Sequence, residues 1–186
     1  VAEGHKLVGD LLGHFPCKLL IATSNWLKMN HSATANEIIE VTQEELSRAS
    51  LQKTPQEVLA VFVQPSYDLN PEVIKSSLCL ALDDVQDPGN LGTIIRLADW
   101  FGIEHIFCST GTADVYNPKT VQATMGALAR VKVHYCSLPQ LIESLTDIPV
   151  YGTFLNGNII YTESLSAHGL IVMGNEGKGV SLEVEK

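Results

Sequence analysis

The sequence lacks several features that define common classes of protein. Its 186 residues contain no apolar run near the ~20 residues of a membrane-spanning helix, and no leader of signal-peptide type opens it. The four cysteines show no CxxC spacing of the kind that binds zinc. They are Cys17, Cys79, Cys108 and Cys136. We therefore expect reduced thiols in a cytoplasmic protein that binds no metal and enters no membrane.

Positive charge is also scarce, with 12 Lys and Arg against 21 Asp and Glu and a formal net charge of −9. Because nucleic-acid-binding proteins usually present a basic face, this balance alone disfavours that class, although a local basic patch stays open. Residues 1–77 hold 6 basic and 9 acidic residues, and residues 78–186 hold 6 and 12. Any RNA-contacting surface must therefore be local.

What the chain does have is enough apolar residues, 45%, for a folded core. Residues 1–63 combine helical spacing over 3–13 with three strand-like runs, at 18–22, 38–41 and 58–63. Thr42 and Glu45 form a capping box that predicts another helix. This segment predicts a small α/β domain, and the proline-containing stretch 64–77 that follows predicts a linker.

Residues 78–186 alternate between strand and helix patterns throughout. Strands are predicted at 78–82, 103–108, 131–135, 150–154 and 170–173, and helices at 92–102, 118–128 and 138–145. Such alternation is typical of a mostly parallel sheet with helices on both faces. The fold class predicted for the chain is therefore α/β.

Ligands bind at the carboxyl ends of the strands in open parallel sheets, so the loops there are the candidate sites. The first loop runs from Asp83 through a Pro88-Gly89 turn to Asn90, the expected N-cap of a helix that contains Arg96. Two later loops, 155–157 and 174–179, are rich in glycine but are neither a P-loop nor GxGxxG. Three such loops predict one ligand crevice.

These loops resemble the motifs of a known family. Asp84-x-x-Asp87-Pro88-x-Asn90-x-Gly92-Thr93-Ile94-Ile95-Arg96 resembles the first motif of the SpoU branch of the SPOUT RNA methyltransferases. Asn117-Pro118-Lys119 with Thr124-Met125-Gly126-Ala127 is similar to the segment between its motifs, and Val172 to Gly179 resembles its second motif. Residues 1–63 are similar to the family's appended substrate-binding domain, a fold shared with a small ribosomal RNA-binding protein.

The resemblance implies 2′-O-ribose methylation of RNA with S-adenosylmethionine, a trefoil-knotted sheet, and a homodimer whose interface helps form the site. It implies catalytic roles for Asn90, Arg96 and Glu176. Cofactor contacts are implied for Thr153, Leu155, Gly157, Gly174, Asn175 and Gly177. RNA contacts are implied for Arg96, Lys119 and Thr124.

Several alternatives stay open. Ribosomal RNA is favoured over transfer RNA as substrate because of the appended domain, and the rivals are a non-catalytic RNA-binding or assembly protein and a small-molecule enzyme. Arg96 could act as a base, but an always-protonated guanidinium suits a phosphate or oxyanion clamp better. Gln122 stands where relatives often have a basic residue. The family's third motif is expected beyond Lys186, so the methyltransferase domain of residues 78–186 lacks its C-terminal part here.

Overall fold

The computed structural model describes residues 1–186 as two β-sheets with helices packed around them. The smaller sheet and its helices contain β1 (Ala2–Glu3), α1 (His5–Leu12), β2 (Cys17–Thr23), α2 (Ser24–Met29), β3 (Glu37–Val41), α3 (Gln43–Ala49) and β4 (Val58–Phe62). The larger sheet and its helices contain β5 (Leu78–Leu82), α4 (Pro88–Trp100), β6 (His105–Cys108), α5 (Pro118–Ala123), β7 (Lys132–Tyr135), α6 (Leu138–Ser144), β8 (Val150–Gly152), β9 (Gly169–Met173) and α7 (Leu182–Glu185). No helix combines the length and the hydrophobicity that crossing a bilayer requires.

The smaller sheet is mixed, with strand order β1-β4-β2-β3. β2 and β3 run parallel, while β4 is antiparallel to both β1 and β2. The predicted capping box is present: the hydroxyl of Thr42 accepts from the backbone N–H of Glu45, and the Glu45 carboxylate accepts from the N–H of Thr42 at 2.9 Å. Local chemistry therefore sets where α3 begins, as the sequence predicted.

The larger sheet is parallel throughout, with strand order β7-β6-β5-β9-β8. After β5 the chain moves outward through β6 and β7, and it returns on the other side of β5 with β9 beside it. The carboxyl ends of β5 and β9 are therefore a topological switch point, where open α/β sheets bind ligands. The parallel sheet predicted from the sequence is confirmed, and the knot stays a prediction.

One apolar cluster joins the two sheets. Of its 25 buried residues, Leu7, Val8 and Leu11 come from α1, while Ile95 and Val121 come from α4 and α5. On the opposite face of the larger sheet a cluster of 9 buried residues gathers around α6. Helices therefore cover both faces of the larger sheet, and the small sheet shares the core of one face.

The segment predicted as a linker is partly packed against the larger sheet. Asn70 caps a single 3₁₀ turn at Pro71–Lys75, and Ile74 within it is fully buried in the cluster around α6. Composition alone did not reveal this, because one isoleucine among polar residues shows no periodicity. Residues 64–70 remain outside helices and strands.

Two helices of the larger sheet differ from their predicted bounds. α4 begins at Pro88 instead of Gly92, with Asp87 as its N-cap. The helix predicted over 118–128 ends at Ala123, and a turn with positive φ at Met125 and Gly126 follows it. A Cβ on Gly126 would stand 2.5 Å from a carboxylate oxygen of Asp10 in α1, so close packing against the small sheet's helix accompanies this break.

Gly92→Ala should lower the free energy of unfolding by about 1–3 kcal/mol. The added Cβ in α4 would stand 2.5 Å from the Cβ of Ala123 and 2.7 Å from the carbonyl oxygen of Thr120, so the two helices would have to separate. Gly9→Ala in α1 is the matched control, because nothing lies within 4 Å of its Cβ and alanine favours a helix by about 0.5–1 kcal/mol. Urea denaturation measures both, and equal loss of stability in the two variants would contradict this packing.

Candidate active site

The loops after β5 and β9 are in direct contact at the switch point. The amide nitrogen of Asn90 donates to a carboxylate oxygen of Glu176 at 2.6 Å. The amide nitrogen of Asn175 donates to the backbone carbonyl of Asp84 at 2.8 Å. The prediction that the first-motif turn and the glycine-rich turn lie side by side is confirmed by these contacts.

Asp87 determines where the side chain of Asn90 points. Its carboxylate accepts from the backbone N–H of Asn90 at 2.9 Å and so takes the N-cap position that the sequence analysis had given to Asn90. Lys119 donates to the other oxygen of Asp87 at 2.9 Å. The Lys119 hydrogen bond, and after it the Asn90 N–H, holds the pKa of Asp87 below its usual value. Since Asp87 caps the helix, the amide of Asn90 is free to reach Glu176.

Asp87 is the site residue that sequence reasoning placed in the wrong role. An aspartate followed directly by proline is a recognised start signal for a helix, with the acid at the N-cap and the proline at the first helical position. Asp87-Pro88 carries that signal, and the prediction passed over it in favour of Asn90.

The glycine-rich loop closes on itself through its backbone. Asn175 and Gly179 exchange two backbone hydrogen bonds, of 2.9 and 2.8 Å, and the side-chain oxygen of Asn175 accepts from the N–H groups of Gly177 and Lys178. A Cβ on Gly174 would collide with the backbone of Gly179 and Val180. Glycine is therefore required at 174 so that the two arms of the loop can meet.

Asp83 and Asp84 have separate environments although they are adjacent in the chain. The carboxylate of buried Asp83 accepts from the backbone N–H of Ser181 at 2.8 Å. Asp84 has a positive φ of 56°, and its carboxylate lies 3.6 Å from the ammonium of Lys178. One aspartate anchors the segment after the glycine-rich loop and the other faces a lysine, so they do not form a paired-carboxylate acid and base.

Arg96 is exposed on α4 and takes part in no ion pair of the structure. Helical geometry places it about 9 Å along the axis from Asn90 and about 120° around it. Glu176, to which the resemblance assigns a catalytic role, has its hydrogen bond to Asn90 and not to Arg96. Arg96 therefore keeps its full set of guanidinium donors for an external group.

The predicted cofactor residues Thr153, Leu155 and Gly157 lie at the same edge of the sheet. The N–H and hydroxyl of Thr153 both donate to the carbonyl of Val172 in β9, at 3.0 and 3.1 Å. Leu155 and Gly157 are exposed in the loop beyond. β8 ends at Gly152, two residues earlier than predicted, because the ring of Phe154 folds back over the space that a side chain there would fill.

Lys119 and Thr124, the two residues outside α4 that are expected to contact RNA, differ in their exposure. The side chain of Lys119 is 63% exposed and forms one ion pair, with Asp87. Thr124 is fully buried and its hydroxyl donates to the carbonyl of Val121 at 2.7 Å. The assignment of Thr124 is therefore wrong, because no atom of its side chain can reach an RNA.

The donor groups at this edge fit a nucleoside-like cofactor. The loops 153–157 and 174–177 offer exposed backbone, and Leu155 and the partly exposed Met173 offer apolar surface for a base. Pockets of this kind combine apolar lining with a few placed polar groups. The loops meet at the switch point, where the ligand crevice was predicted.

The larger sheet is parallel, and the loops of the two motifs are hydrogen-bonded at its switch point, as expected for a methyltransferase of the SPOUT class that the motifs resemble. The model of the SpoU rRNA methylase family matches residues 77–186, and that of the MRM3-like substrate-binding domain matches residues 1–60. The chain belongs to the SpoU rRNA methylase family.

Relatives of known activity agree with this. The chain is 34% identical over 143 residues to the 23S rRNA (guanosine(2553)-2′-O)-methyltransferase RlmP of Bacillus subtilis, an alignment that spans 75% of this chain and 56% of that protein. It is 30% identical over 140 residues to human mitochondrial rRNA methyltransferase 3, spanning 70% and 33%. The chain thus spans between a third and about half of the length of these relatives.

Solved structures show the same architecture. A putative RNA methyltransferase of the TrmH family from Porphyromonas gingivalis superposes with a TM-score of 0.84 at 41% identity, over 98% of this chain and 74% of that one. The SpoU methyltransferase AviRb from Streptomyces viridochromogenes, in complex with AdoMet, has a TM-score of 0.84 at 25% identity, over 98% and 76%.

Gly174→Ala should open the glycine-rich loop, since its Cβ cannot coexist with the backbone of Gly179. A cost of about 1–3 kcal/mol corresponds to amide hydrogen exchange at Asn175 and Gly179 that is about ten- to a hundredfold faster. Gly177→Ala is the control, because its Cβ would meet only the Asn175 side-chain oxygen, at 3.6 Å. Hydrogen exchange measured by NMR distinguishes them, and unchanged protection in Gly174→Ala would refute the close approach.

Proposed function

We propose that this chain is the core of an S-adenosylmethionine-dependent methyltransferase that modifies the ribose 2′-hydroxyl of RNA, with ribosomal RNA as substrate. The observation that supports it most directly is the 2.6 Å hydrogen bond from Asn90 to Glu176, which joins the two family motifs at the switch point. The names of the relatives favour ribosomal RNA, and the AdoMet complex of AviRb favours this cofactor. The four free cysteines agree with a cytoplasmic location.

The crevice is where the cofactor belongs in this proposal. Thr153, Leu155 and Gly157 would line one side, and Gly174, Asn175 and Gly177 the other. When bound, the cofactor supplies a methyl group on a sulfonium, which the substrate oxygen takes in an in-line displacement. The task of the chain is then positioning: the loops hold the donor while α4 presents the groups that meet the ribose.

Asn90 and Glu176 act together on the attacking hydroxyl. Because the amide nitrogen of Asn90 is bound to Glu176, the amide oxygen of this exposed residue is left as a hydrogen-bond acceptor for the substrate. A ribose 2′-hydroxyl that donates its hydrogen bond to this amide oxygen directs a lone pair away from Asn90, toward the place of the methyl group to be transferred. Glu176 is therefore a positioning residue that holds the amide in the accepting orientation.

Arg96 is proposed to bind RNA phosphate and to stabilise negative charge on the 2′-oxygen as the hydroxyl proton passes to solvent water. A guanidinium stays protonated in ordinary settings, so it serves as a clamp and not as a base. Its exposure and the absence of an intramolecular ion pair leave it available for this contact.

Arg96→Ala should lower methyl transfer to ribosomal RNA at least a hundredfold, the typical cost of removing one donor to a developing oxyanion. Binding of S-adenosylmethionine, measured by calorimetry, should stay within about twofold because Arg96 is not among the crevice residues. Lys75→Ala removes one exposed positive charge from the 3₁₀ turn that precedes the larger sheet and is the matched control. Transfer of tritiated methyl groups to 23S rRNA and to transfer RNA is the measurement.

Three results would change the proposal. Full activity in Arg96→Ala would end the assignment of that residue. Methylation of transfer RNA alone would replace the substrate. RNA binding without cofactor binding, in the protein with its natural termini, would favour a non-catalytic RNA-binding or assembly protein.

We also propose that the protein works as a homodimer through the C-terminal end of α4. Leu97, Trp100 and Phe101 are 52%, 81% and 75% exposed and form an apolar surface at this end of the helix. Adjacent exposed apolar residues of this size indicate an interaction surface. Arg96 is next to Leu97 in the helix, so a partner docked here would lie close to the candidate RNA clamp.

Trp100→Glu should convert the dimer to a monomer because it places a charge in the centre of this apolar surface. Light scattering coupled to gel filtration gives the mass directly. Met29→Glu, at a site 73% exposed in the small domain, is the control and should leave the mass unchanged. A dimer that survives Trp100→Glu would place the interface elsewhere.

A further inference from the structure

A groove of about 600 Å³ lies between the small sheet and α5, outside the crevice described above. From the small domain it is lined by Val1, Glu3, Leu51 and Gln52, and from the larger domain by Gly89, Asn117, Pro118, Lys119, Gln122 and Ala123. The volume is within the range of about 300–1,000 Å³ in which proteins bind small molecules. Nothing in the proposed reaction uses it.

The groove contains one positively charged side chain, Lys119, which is ion-paired with Asp87 and has donors to spare. The only charged lining residues of the groove are Glu3 and Lys119. The carboxylate of Glu3 is buried, at 4% exposure, and accepts from the hydroxyl of Ser50 and the N–H of Leu51. Lys119 is mostly exposed, and one bond to Asp87 leaves two of its three ammonium hydrogens available. An anionic group is therefore the charged ligand that fits.

The walls of the groove are held at a fixed spacing. The amide of Gln122 donates across the domain boundary to the backbone carbonyl of Glu3 at 3.2 Å, and the amide of Gln52 donates to the same carbonyl at 3.5 Å. The shared apolar cluster lies beneath them. Gln122, where a basic residue was expected, thus contacts the small domain.

The groove also leads to the candidate active site. Gly89 in its wall is adjacent in the chain to Asn90, and Lys119 bonds to Asp87, the residue that caps the helix of Asn90. A ligand that extends past Gly89 therefore reaches the first turn of α4, the turn that also contains Asn90. A nucleic-acid strand is continuous and carries a phosphate at every unit, so one strand can occupy the groove and the candidate active site together.

We propose that this groove binds one single-stranded nucleotide adjacent to the methylated one, with its phosphate on Lys119 and its base against Leu51 and Pro118. The inference rests on the proposed function, because it assumes that RNA is the substrate. Leu51 is 67% exposed and Pro118 stands opposite at the start of α5, so both offer apolar surface to a base. Unpaired bases are the parts of RNA that proteins contact in this way.

Leu51→Glu places a carboxylate inside the groove and should raise both the Kd and the KM for 23S rRNA about tenfold, while kcat at saturating RNA stays unchanged. Met29→Glu makes the same change at an exposed position of the small domain outside the groove, and it should change neither constant. Filter binding gives the Kd without requiring methyl transfer. Equal weakening in the two variants, or none in Leu51→Glu, would overturn the inference.

Lys119→Gln tests the phosphate contact by a second measurement, the salt dependence of RNA binding. This quantity would not change if Lys119 had only a structural role. If Lys119 binds a phosphate, the negative slope of log K against log salt concentration should become less steep by about 0.7, the value for one contact to a single strand. Lys75→Gln, which also loses an exposed ion-paired lysine, should keep the wild-type slope. An unchanged slope in Lys119→Gln would overturn the phosphate contact even if the variant is less stable.

The two proposals fail in different ways. If the wild-type protein binds RNA but transfers no methyl group, the enzymatic proposal fails and the groove is still judged from Kd and salt slope. If methyl transfer is intact and the groove variants match their controls, only the groove inference fails. If the wild type binds no RNA at all, both fail together.

Discussion

The candidate site depends on hydrogen bonds that hold together two loops far apart in the sequence. Asn90 and Glu176 are separated by 86 residues, and Asn175 and the carbonyl of Asp84 by 91. Parallel pairing of β5 with β9 brings the loops to the same edge, and the lack of a side chain on Gly174 lets the second loop close tightly enough to present Glu176. Without that close backbone contact, the amide of Asn90 has no partner to orient it, and the chemistry proposed for the site loses its acceptor.

Much of this could be predicted because the relevant signals are local. The capping box at Thr42 is complete within four residues, and the alternation of strand and helix patterns over 78–186 is sufficient to predict a parallel sheet. The meeting of the two loops followed from a general property of such sheets, applied to a motif with few generic positions. The resemblance to a family and the physical pattern therefore pointed to the same edge of the same sheet.

The errors arose where contacts distant in sequence decide the outcome. Thr124 follows the buried Thr120 and Val121 at helical spacing, on the face of α5 that packs against α4, so its burial depends on a contact between helices that are distant in sequence. Ile74 was placed in a linker because its apolar neighbours belong to a different part of the chain. The role of Asp87 was a different kind of error, since its signal was present in the sequence and was outweighed by that of Asn90.

The apolar cluster shared by the two sheets has a consequence for how the protein selects RNA. Two sheets that bury side chains in one core have little freedom to swivel, so the small domain is held at a constant offset from the amide of Asn90. Under the proposed function, an RNA is then chosen by whether its own tertiary shape bridges that offset. Discrimination would reside in the distance and angle between two features of the substrate, so a short oligonucleotide with the right base sequence would be a poor substitute for a folded ribosomal RNA domain.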